Sequence, residues 1–352
     1  MTTAVLQELP RSPGVWAQAW KRLKGDKVGM VALVITGFFV LLVLTAQFGL
    51  VASHWQDEVG TPFAPPHFVG KKVDESQTAV VETPTGPNVD LSAIDPLAPK
   101  YKEWEERASK FTTTDTMKSD TLLFGGDRLG RDVLDKAIKG AQVSIAVGLI
   151  AALFATLIGT TLGALAGYFG GKVDDFLEWV YNVFTAIPYI LLVFALAAVL
   201  KSGPLAGSLG NGIWTVVIIL SVVGWTGIYR LVRAEYMKHR AREYVRAAEA
   251  IGASHMSRMF THILPNVSHV VLVQLSLHVV SFIKSEVILS FLGLGVPVDM
   301  VSWGTMLSEA TTELVLGKWW QLVAATAFMA TFVTAFALLT DALRDALDPK
   351  LR

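Results

Sequence analysis

The sequence has 352 residues, of which 52% are hydrophobic and 17% charged, with 30 basic and 30 acidic side chains and no cysteine. An apolar share this high with so few charges lies outside ordinary soluble domains and is that of an integral membrane protein, so the lipid bilayer is its first partner. The balanced charge offers no global basic field for nucleic acid, and the missing cysteine excludes disulfides, thiolate chemistry and Cys-ligated metals.

Residues 1–27 are polar, with Arg11, Lys21, Arg22, Lys24 and Lys27 against Glu8 and Asp26, and read as a cytoplasmic tail by the positive-inside rule. Residues 28–52 carry no charge. At about 1.5 Å per residue they cross a hydrocarbon core of about 30 Å, and they are too long for the apolar core of a signal peptide. They form the first transmembrane helix, running from inside to outside. Residues 53–139 are then an outer loop with the lead-in to the second span. As far as Phe124 this loop holds seven prolines and one predicted helix, Tyr101 to Lys110. It is either a lid or docking surface for an extracytoplasmic binding protein or a tolerated insertion. Asp127 and Asp132, interleaved with Arg128 and Arg131, predict a compact charged knot that fixes the angle at which the second span starts.

Residues 140–340 hold the remaining five spans. The second, Gly140 to Gly171, has no charged residue, and Ala151, Ala155, Gly159, Gly163 and Gly167 recur at i+4, a small-residue ridge on which another helix can pack closely in lipid. Gly170-Gly171-Lys172 does not end a phosphate-binding loop, because Val173 lacks the magnesium-binding hydroxyl and Ala166 stands where the first glycine is required. The third span, Phe176 to Leu200, contains Pro188 and is expected to kink there. After a Gly-rich turn, Lys201 to Gly212, the fourth span runs from Ile213 to Tyr229. Residues 230–265 carry seven cations against three acids and are read as cytoplasmic.

The fifth span starts near Asn266 and is charge-free from Val267 to Ile283, until Lys284 and Glu286 interrupt it before LSFLGLG. Ionisable residues inside a span are expensive and point to a pathway or an internal pair. At i and i+2 these two do not face each other. Trp303, Trp319 and Trp320 suit a membrane interface where the indole N–H stays hydrated. The sixth span is Trp319 to Thr340, and residues 341–352 form a second cytoplasmic tail. The seven histidines never take HExxH or another metal-ligand spacing, and no GxSxG elbow signals a hydrolase.

The loop from Tyr244 to Asn266 has the most pattern. Read as helix from Arg242, it puts Tyr244, Ala247, Ala248 and Ile251 on one apolar stripe and Arg242, Arg246 and Glu249 opposite. Gly252 ends that helix. Ser254 is the expected N-cap of a second short helix bearing Met256, Met259, Phe260 and Ile263, which Pro265 is expected to stop by restricting Leu264. The alternative reading is a basic amphipathic loop lying on anionic lipid.

Ala247, Ala248, Gly252 and Leu264-Pro265 resemble the EAA loop of ABC importer permeases, with Arg246 where the first Glu is common and His262 where Ile is common. FGGDRLGRDV and GAQVS are similar to the GTDxLGRDV and GARxS signatures of the peptide-importing branch, with Gly126 for Thr and Gln142 for Arg. GYFGGKVDDFLEW, Glu286 before LSFLGLG, SWG with Met306 to Ala310, and DALRDALDPKLR are further matches. Trp179 and Asn182 depart from the usual Arg and Asp and put in doubt the salt bridge those would make. The resemblance is loose over Ala17 to Ala52, is not visible from Ser53 to Leu123, and is nearly continuous from Phe124 onward.

It implies an all-α protein of six transmembrane helices in the inner membrane, both termini cytoplasmic, as the permease subunit of oligopeptide and dipeptide ABC importers. Implied partners are a second homologous permease, two ABC ATPase subunits that bind the ATP, and an extracytoplasmic solute-binding protein. The chain itself would be no enzyme and hold no cofactor or metal. Implied coupling residues are Arg246, Ala247, Ala248, Glu249, Gly252, Leu264 and Pro265. Glu286 is a candidate pathway or gating residue, or else one side of a structural pair. The competing class is an ion-coupled secondary carrier or channel without an ATPase, which should show inverted repeats and broken helices.

Overall fold

The computed structural model describes residues 15–70, 97–108, 118–202, 212–297 and 299–347. Most of the Gly-rich turn and the last five residues therefore lie outside the described residues. Among those described, the regular structure is helical, with three isolated bridges between extended residues and no strands. The helices are α1 (Val15–Gly25), α2 (Lys27–Gln47), α3 (Ala98–Ala108), α4 (Val133–Phe169), α5 (Gly171–Thr185), α6 (Tyr189–Ser202), α7 (Ile213–Gly224), α8 (Thr226–Arg240) and α9 (Glu243–Ala250). After them come α10 (His255–Ser257), a π-helical segment (Arg258–Ile263), α11 (Leu264–Phe291), α12 (Trp303–Val315) and α13 (Trp320–Leu347). Four helices are long and apolar enough to cross a membrane alone, and two bent pairs, α5 with α6 and α7 with α8, bring the number to as many as six.

The chain divides into two compact units, Gln56–Asp132 and the rest. The smaller unit is held by backbone pairing of its two ends: Gly60 N donates to Gly130 O (2.8 Å), Phe63 N to Asp127 O (2.9 Å) and His67 N to Leu122 O (2.8 Å). Its charged knot forms around Asp127, which is fully buried. One carboxylate oxygen accepts from the backbone N–H groups of Leu129 and Arg131 (2.9 Å each), and the other accepts from both Nε and Nη2 of Arg131 at 2.7 Å. Such bidentate, charge-assisted contact is what a buried carboxylate needs. Helix α3 corresponds to the predicted helix at Tyr101, set three residues earlier.

In the larger unit α4 is the axis, touching α2, α5, α7, α8, α11, α12 and α13. Its 37 residues span about 55 Å at 1.5 Å per residue, well beyond one hydrocarbon core. The predicted small-residue ridge is where α8 lies. A methyl added to Gly163 would stand 2.6 Å from Tyr229 O, and methyls on Gly159 and Gly167 would collide with Trp225 O and Arg233 O. Glycines at i+4 thus face carbonyls at i+4 in the same order, so α4 and α8 run parallel with backbones in direct contact. Against α11 the order reverses, with Gly148 at Ile283 and Thr156 bonded to His278 (3.3 Å), so those helices are antiparallel.

Several expectations change. The N-terminal segment is not only a polar tail: α1 packs against α2 and α13 through buried Leu23, and Asp26 caps α2 by accepting from Val28 N (3.0 Å). Helix α2 ends at Gln47, short of Ala52. The third span is not a kinked helix but two helices at 87°. Pro188 cannot continue the ladder and restricts Ile187, and its own carbonyl starts α6 by accepting from Leu191 and Leu192 (2.9 and 3.1 Å). The fourth is bent by 41° between α7 and α8, which carries the helix on to Arg240. The Trp303 indole N–H is not hydrated: the residue is fully buried, and its Nε1 donates to Ala137 O of α4 (3.1 Å). Beside it Lys136, also buried, is neutralised by Glu309 at 2.6 Å.

Replacing Gly163 with Ala should lower stability by about 1–3 kcal/mol, the usual cost of overpacking. Gly37→Ala in α2, where an added methyl meets nothing within 4 Å, should cost nothing. Thermal unfolding of the detergent-solubilised protein checks the contrast, and equal melting temperatures would refute the close packing of α4 on α8.

Candidate functional site

The loop between α8 and α11 folds into an elbow. Helix α9 starts after Arg242 in extended conformation, with Glu243 in the first turn where a negative charge favours the helix dipole. It ends as expected at Gly252, whose φ of +86° is the left-handed conformation that glycine adopts without strain. Gly252 N donates to Glu249 O (2.9 Å) and Ala253 N to Ala248 O (3.0 Å), the two bonds of a Schellman C-cap. Ser254 then caps the next turn by accepting from Ser257 N (3.2 Å), again as the sequence predicts.

Beyond that turn the chain does not stop at Pro265. Residues 257–291 form one 35-residue helix whose first turns are π-helical, and Leu264 N reaches back to Met259 O, five residues away. The wider turn accommodates a proline that has no N–H to give. Leu264 is half-buried and Pro265 exposed, both within the helix rather than at its end.

The face that α9 buries differs from the predicted stripe. Val245 and Ala248 are buried, and Val245 packs with Tyr236 of α8, Tyr168 of α4, Met259 and Ile263 in one apolar cluster. Tyr244, Ala247 and Ile251 are exposed, Ile251 at 86%, as are Met256 and Phe260. Of the two alanines, then, Ala247 faces outward and Ala248 inward. The exposed set puts an apolar patch of five side chains around a glycine hinge.

Polar contacts brace the elbow from behind. Arg258, 8% exposed, donates through Nη1 to Glu249 Oε1 (2.6 Å) and through Nη2 to His255 Nδ1 (3.0 Å), and its guanidinium lies 5.8 Å from the centre of the Tyr168 ring. Because Arg258 is only a donor, His255 Nδ1 accepts here. Arg246 is exposed and has no hydrogen-bond or ion-pair partner among the described residues. A cleft of about 600 Å³ opens between the elbow and the end of α4, lined by Phe169, Arg240, Arg246 and Glu249 among others. Tyr244 OH lies 2.8 Å from His239 Nδ1, within hydrogen-bond distance, and partial burial raises the phenol's pKa, so it stays protonated at neutral pH. Below the elbow Arg233 grips Asp174 of α5 with two bonds, 2.5 and 2.8 Å. A salt bridge therefore exists in this segment, made by residues other than Trp179 and Asn182.

The two ionisable residues of α11 separate. Glu286 is fully buried, with Oε1 accepting from Ser290 Oγ (2.6 Å) and Ser144 of α4 and Ser302 beside it. That places it within the packing of α4, α11 and α12. Lys284, two residues away and so on nearly the opposite side, is exposed. The sequence singled out Glu286 because it matched a pattern. The signal for Lys284 was a cation in an otherwise apolar span. Among the described residues no group of three or more His, Cys, Asp or Glu side chains is placed to hold a metal ion.

Comparison with known proteins places this arrangement in context. Residues 159–352 match the family described as binding-protein-dependent transport system inner membrane component, and residues 14–66 match the N-terminal TM domain of oligopeptide transport permease C. The chain is 32% identical over 334 residues to the dipeptide transport system permease protein DppC of Bacillus subtilis, covering 95% of this chain and 85% of that one. It is 34% identical over 256 residues to the oligopeptide transport system permease protein OppC of the same organism, covering 73% and 81%. Among solved structures it is similar to an inward-facing form of the MetNI methionine ABC transporter, at 15% identity and TM-score 0.48, over 60% of this chain and 96% of that one.

Arg258→Met should release Glu249 and His255 together, at a cost of about 1–2 kcal/mol to the elbow. Amide exchange in α9 is expected to speed up about tenfold, whereas Arg246→Met should leave it unchanged. Hydrogen-exchange mass spectrometry reads both, and unchanged protection in the Arg258 variant would mean that the apolar cluster alone holds the elbow.

Proposed function

This chain belongs to the family of inner membrane components of binding-protein-dependent transport systems, and we propose that it forms half of the translocation pathway of an ATP-driven peptide importer. It is a multi-pass membrane transport component rather than an enzyme. The finer reading takes six spans, with each bent pair counted as one, both termini and the elbow in the cytoplasm, and the loop of residues 53–139 outside. The parallel run of α4 and α8 suits this topology, in which the second and fourth spans descend in the same direction.

The partners in this reading are a second related permease, two ATPase subunits that bind the ATP, and a solute-binding protein that delivers peptide. The elbow carries the proposal. Its exposed Tyr244, Ala247, Ile251, Met256 and Phe260 offer an apolar patch at a hinge that is braced onto α4 and α8 and left uncovered among the described residues. A helix seated in a groove of an ATPase subunit would bury that patch, with Arg246 at its edge, and pass the closing motion to α8. Glu249, whose carboxylate is held by Arg258, then sets the angle of α9 as well as its contacts. Peptides are the cargo by analogy with the dipeptide and oligopeptide permeases that share this chain's length and sequence.

Gentle affinity purification of the tagged chain from its own membranes, with copurifying subunits counted by mass spectrometry, tests the assembly. One related permease and two ATPase copies are expected, and a chain that purifies alone and transports without ATP would point to a secondary carrier. Gly252→Leu tests the elbow. No atom lies within 4 Å of the added Cβ, so the bundle should stay folded, while the left-handed backbone is strained by about 1–2 kcal/mol. ATP hydrolysis should persist with uptake reduced at least about tenfold, the equilibrium equivalent of 1.4 kcal/mol, and normal uptake by this variant would sink the coupling role.

A further inference from the structure

Helix α11 presents one open stripe in this chain: Leu277, Ser281, Lys284, Ile288 and Phe291 are all exposed and lie at i, i+4, i+7, i+11 and i+14. Lys284 is the one charge on it, and it has no ion-pair or hydrogen-bond partner among the described residues. The nearby acids are turned elsewhere. Glu286 is buried on the far side of the helix, and Glu309 is taken by Lys136. An unneutralised ammonium on a membrane-spanning face is expensive in lipid, so such residues face protein or water. Here the positions above it on the stripe, Ile288 and Phe291, are apolar, which would hold a lipid-facing ammonium beneath a hydrophobic collar.

Polar groups accompany it along α11. Ser281 lies one turn below on the same stripe. Ser285, the next residue, bonds through Oγ to the hydroxyl of Tyr189 (3.4 Å), the first residue of α6, where the third span breaks by 87°. Broken backbone at membrane depth is stable only where protein or a water-filled cavity satisfies it. Lys284 and Ser281 thus share the exposed stripe, and the buried Ser285 beside them ties α11 to the start of α6 at the helix break.

We propose that Lys284 is a specificity-determining residue of the pathway, which receives the terminal carboxylate of the passing peptide, with Ser281 one turn away on the same exposed stripe. This rests on the reading of the chain as a peptide permease. Every peptide carries that carboxylate whatever its side chains, so one fixed cation serves cargo of any sequence, and apolar Leu277 and Ile288 along the same stripe leave side chains unselected. An acidic residue of the second permease would also neutralise Lys284, and the subunit composition of the variants separates the two.

The test uses the purified, reconstituted importer with its binding protein, and a ¹⁵N-labelled mixture of peptides of two to five residues, identified inside the vesicles by mass spectrometry. Lys284→Met should cut accumulation of the whole mixture at least tenfold, with subunit composition and binding-protein-stimulated ATP hydrolysis unchanged, and Lys284→Arg should keep at least half of wild-type uptake. Wild-type uptake by Lys284→Met overturns the assignment. So does loss of the second permease from that variant, which would show an intersubunit ion pair, and so does loss of stimulated hydrolysis, which would show a structural role. A wild-type complex that accumulates none of the peptides overturns the peptide reading itself and the carboxylate assignment with it.

Discussion

The contact on which the rest of this structure depends is the one between the glycine ridge of α4 and the carbonyl row of α8. Lipid supplies no hydrophobic drive to join two apolar helices, so association has to come from close van der Waals packing, and that requires backbones to approach without side chains between them. Gly159, Gly163 and Gly167 make that approach possible against Trp225, Tyr229 and Arg233. Because the row lies on α8 rather than α7, it also fixes the part of the fourth span that runs beyond the bend, down to Arg240. The elbow grows directly from that rigid end.

Rigidity at the base explains how the elbow is built. Val245, Met259 and Ile263 share one cluster with Tyr168 of α4 and Tyr236 of α8, and the Arg258 guanidinium ties Glu249 and His255 to the same corner. The joint between its two arms is the capped glycine at 252. A force applied to the exposed face of α9 therefore acts on α8 and α4 through packed side chains rather than being absorbed by a loose loop. The π-helical turn has a complementary effect: by carrying the chain past Pro265 without interruption, it makes the second arm of the elbow continuous with α11, the helix that bears Lys284.

Much of this was legible in the sequence, and the parts that were not share a physical cause. The apolar runs, the small-residue ridge, the Gly252 stop and the Ser254 cap follow from local rules, and the structure shows each of them. What sequence periodicity could not supply is which apolar face meets this chain and which meets another. Tyr244, Ala247 and Ile251 repeat at helical spacing as a core stripe does, yet the buried face is set by Val245 and Ala248, because α9 is oriented by Tyr236 and Met259, which are distant or across a turn. The same ambiguity governs Glu286 and Lys284, where burial against Ser290 turns one inward and leaves the other out. Pro265 and Pro188 show the limit of the proline rule: one is absorbed by a wider turn, the other breaks its span by 87°, and the difference lies in the neighbours. The N-terminal helix α1 was missed because its charges dominate, though Trp16, Trp20 and Leu23 at spacings of four and three carry the signal. The family resemblance likewise reaches further than the motifs suggested, since residues 14–66 match a family of their own.

These two corrections, the exposed face of α9 and the exposed Lys284, are the same observation made at two heights of one molecule. A subunit that works alone buries its apolar stripes and neutralises its charges within its own fold. This one does so with care where it can: Asp127 is held by four bonds, Lys136 meets Glu309, Asp174 meets Arg233 and Arg258 meets Glu249. Against that background an apolar patch at the elbow and a bare ammonium on α11 stand out as places completed by other molecules. The patch needs area and the ammonium needs an anion. In the proposed reading a docking protein at one end of the long helix and a carboxylate passing near the other satisfy both, and the helix that joins them runs unbroken from Ser257 to Phe291.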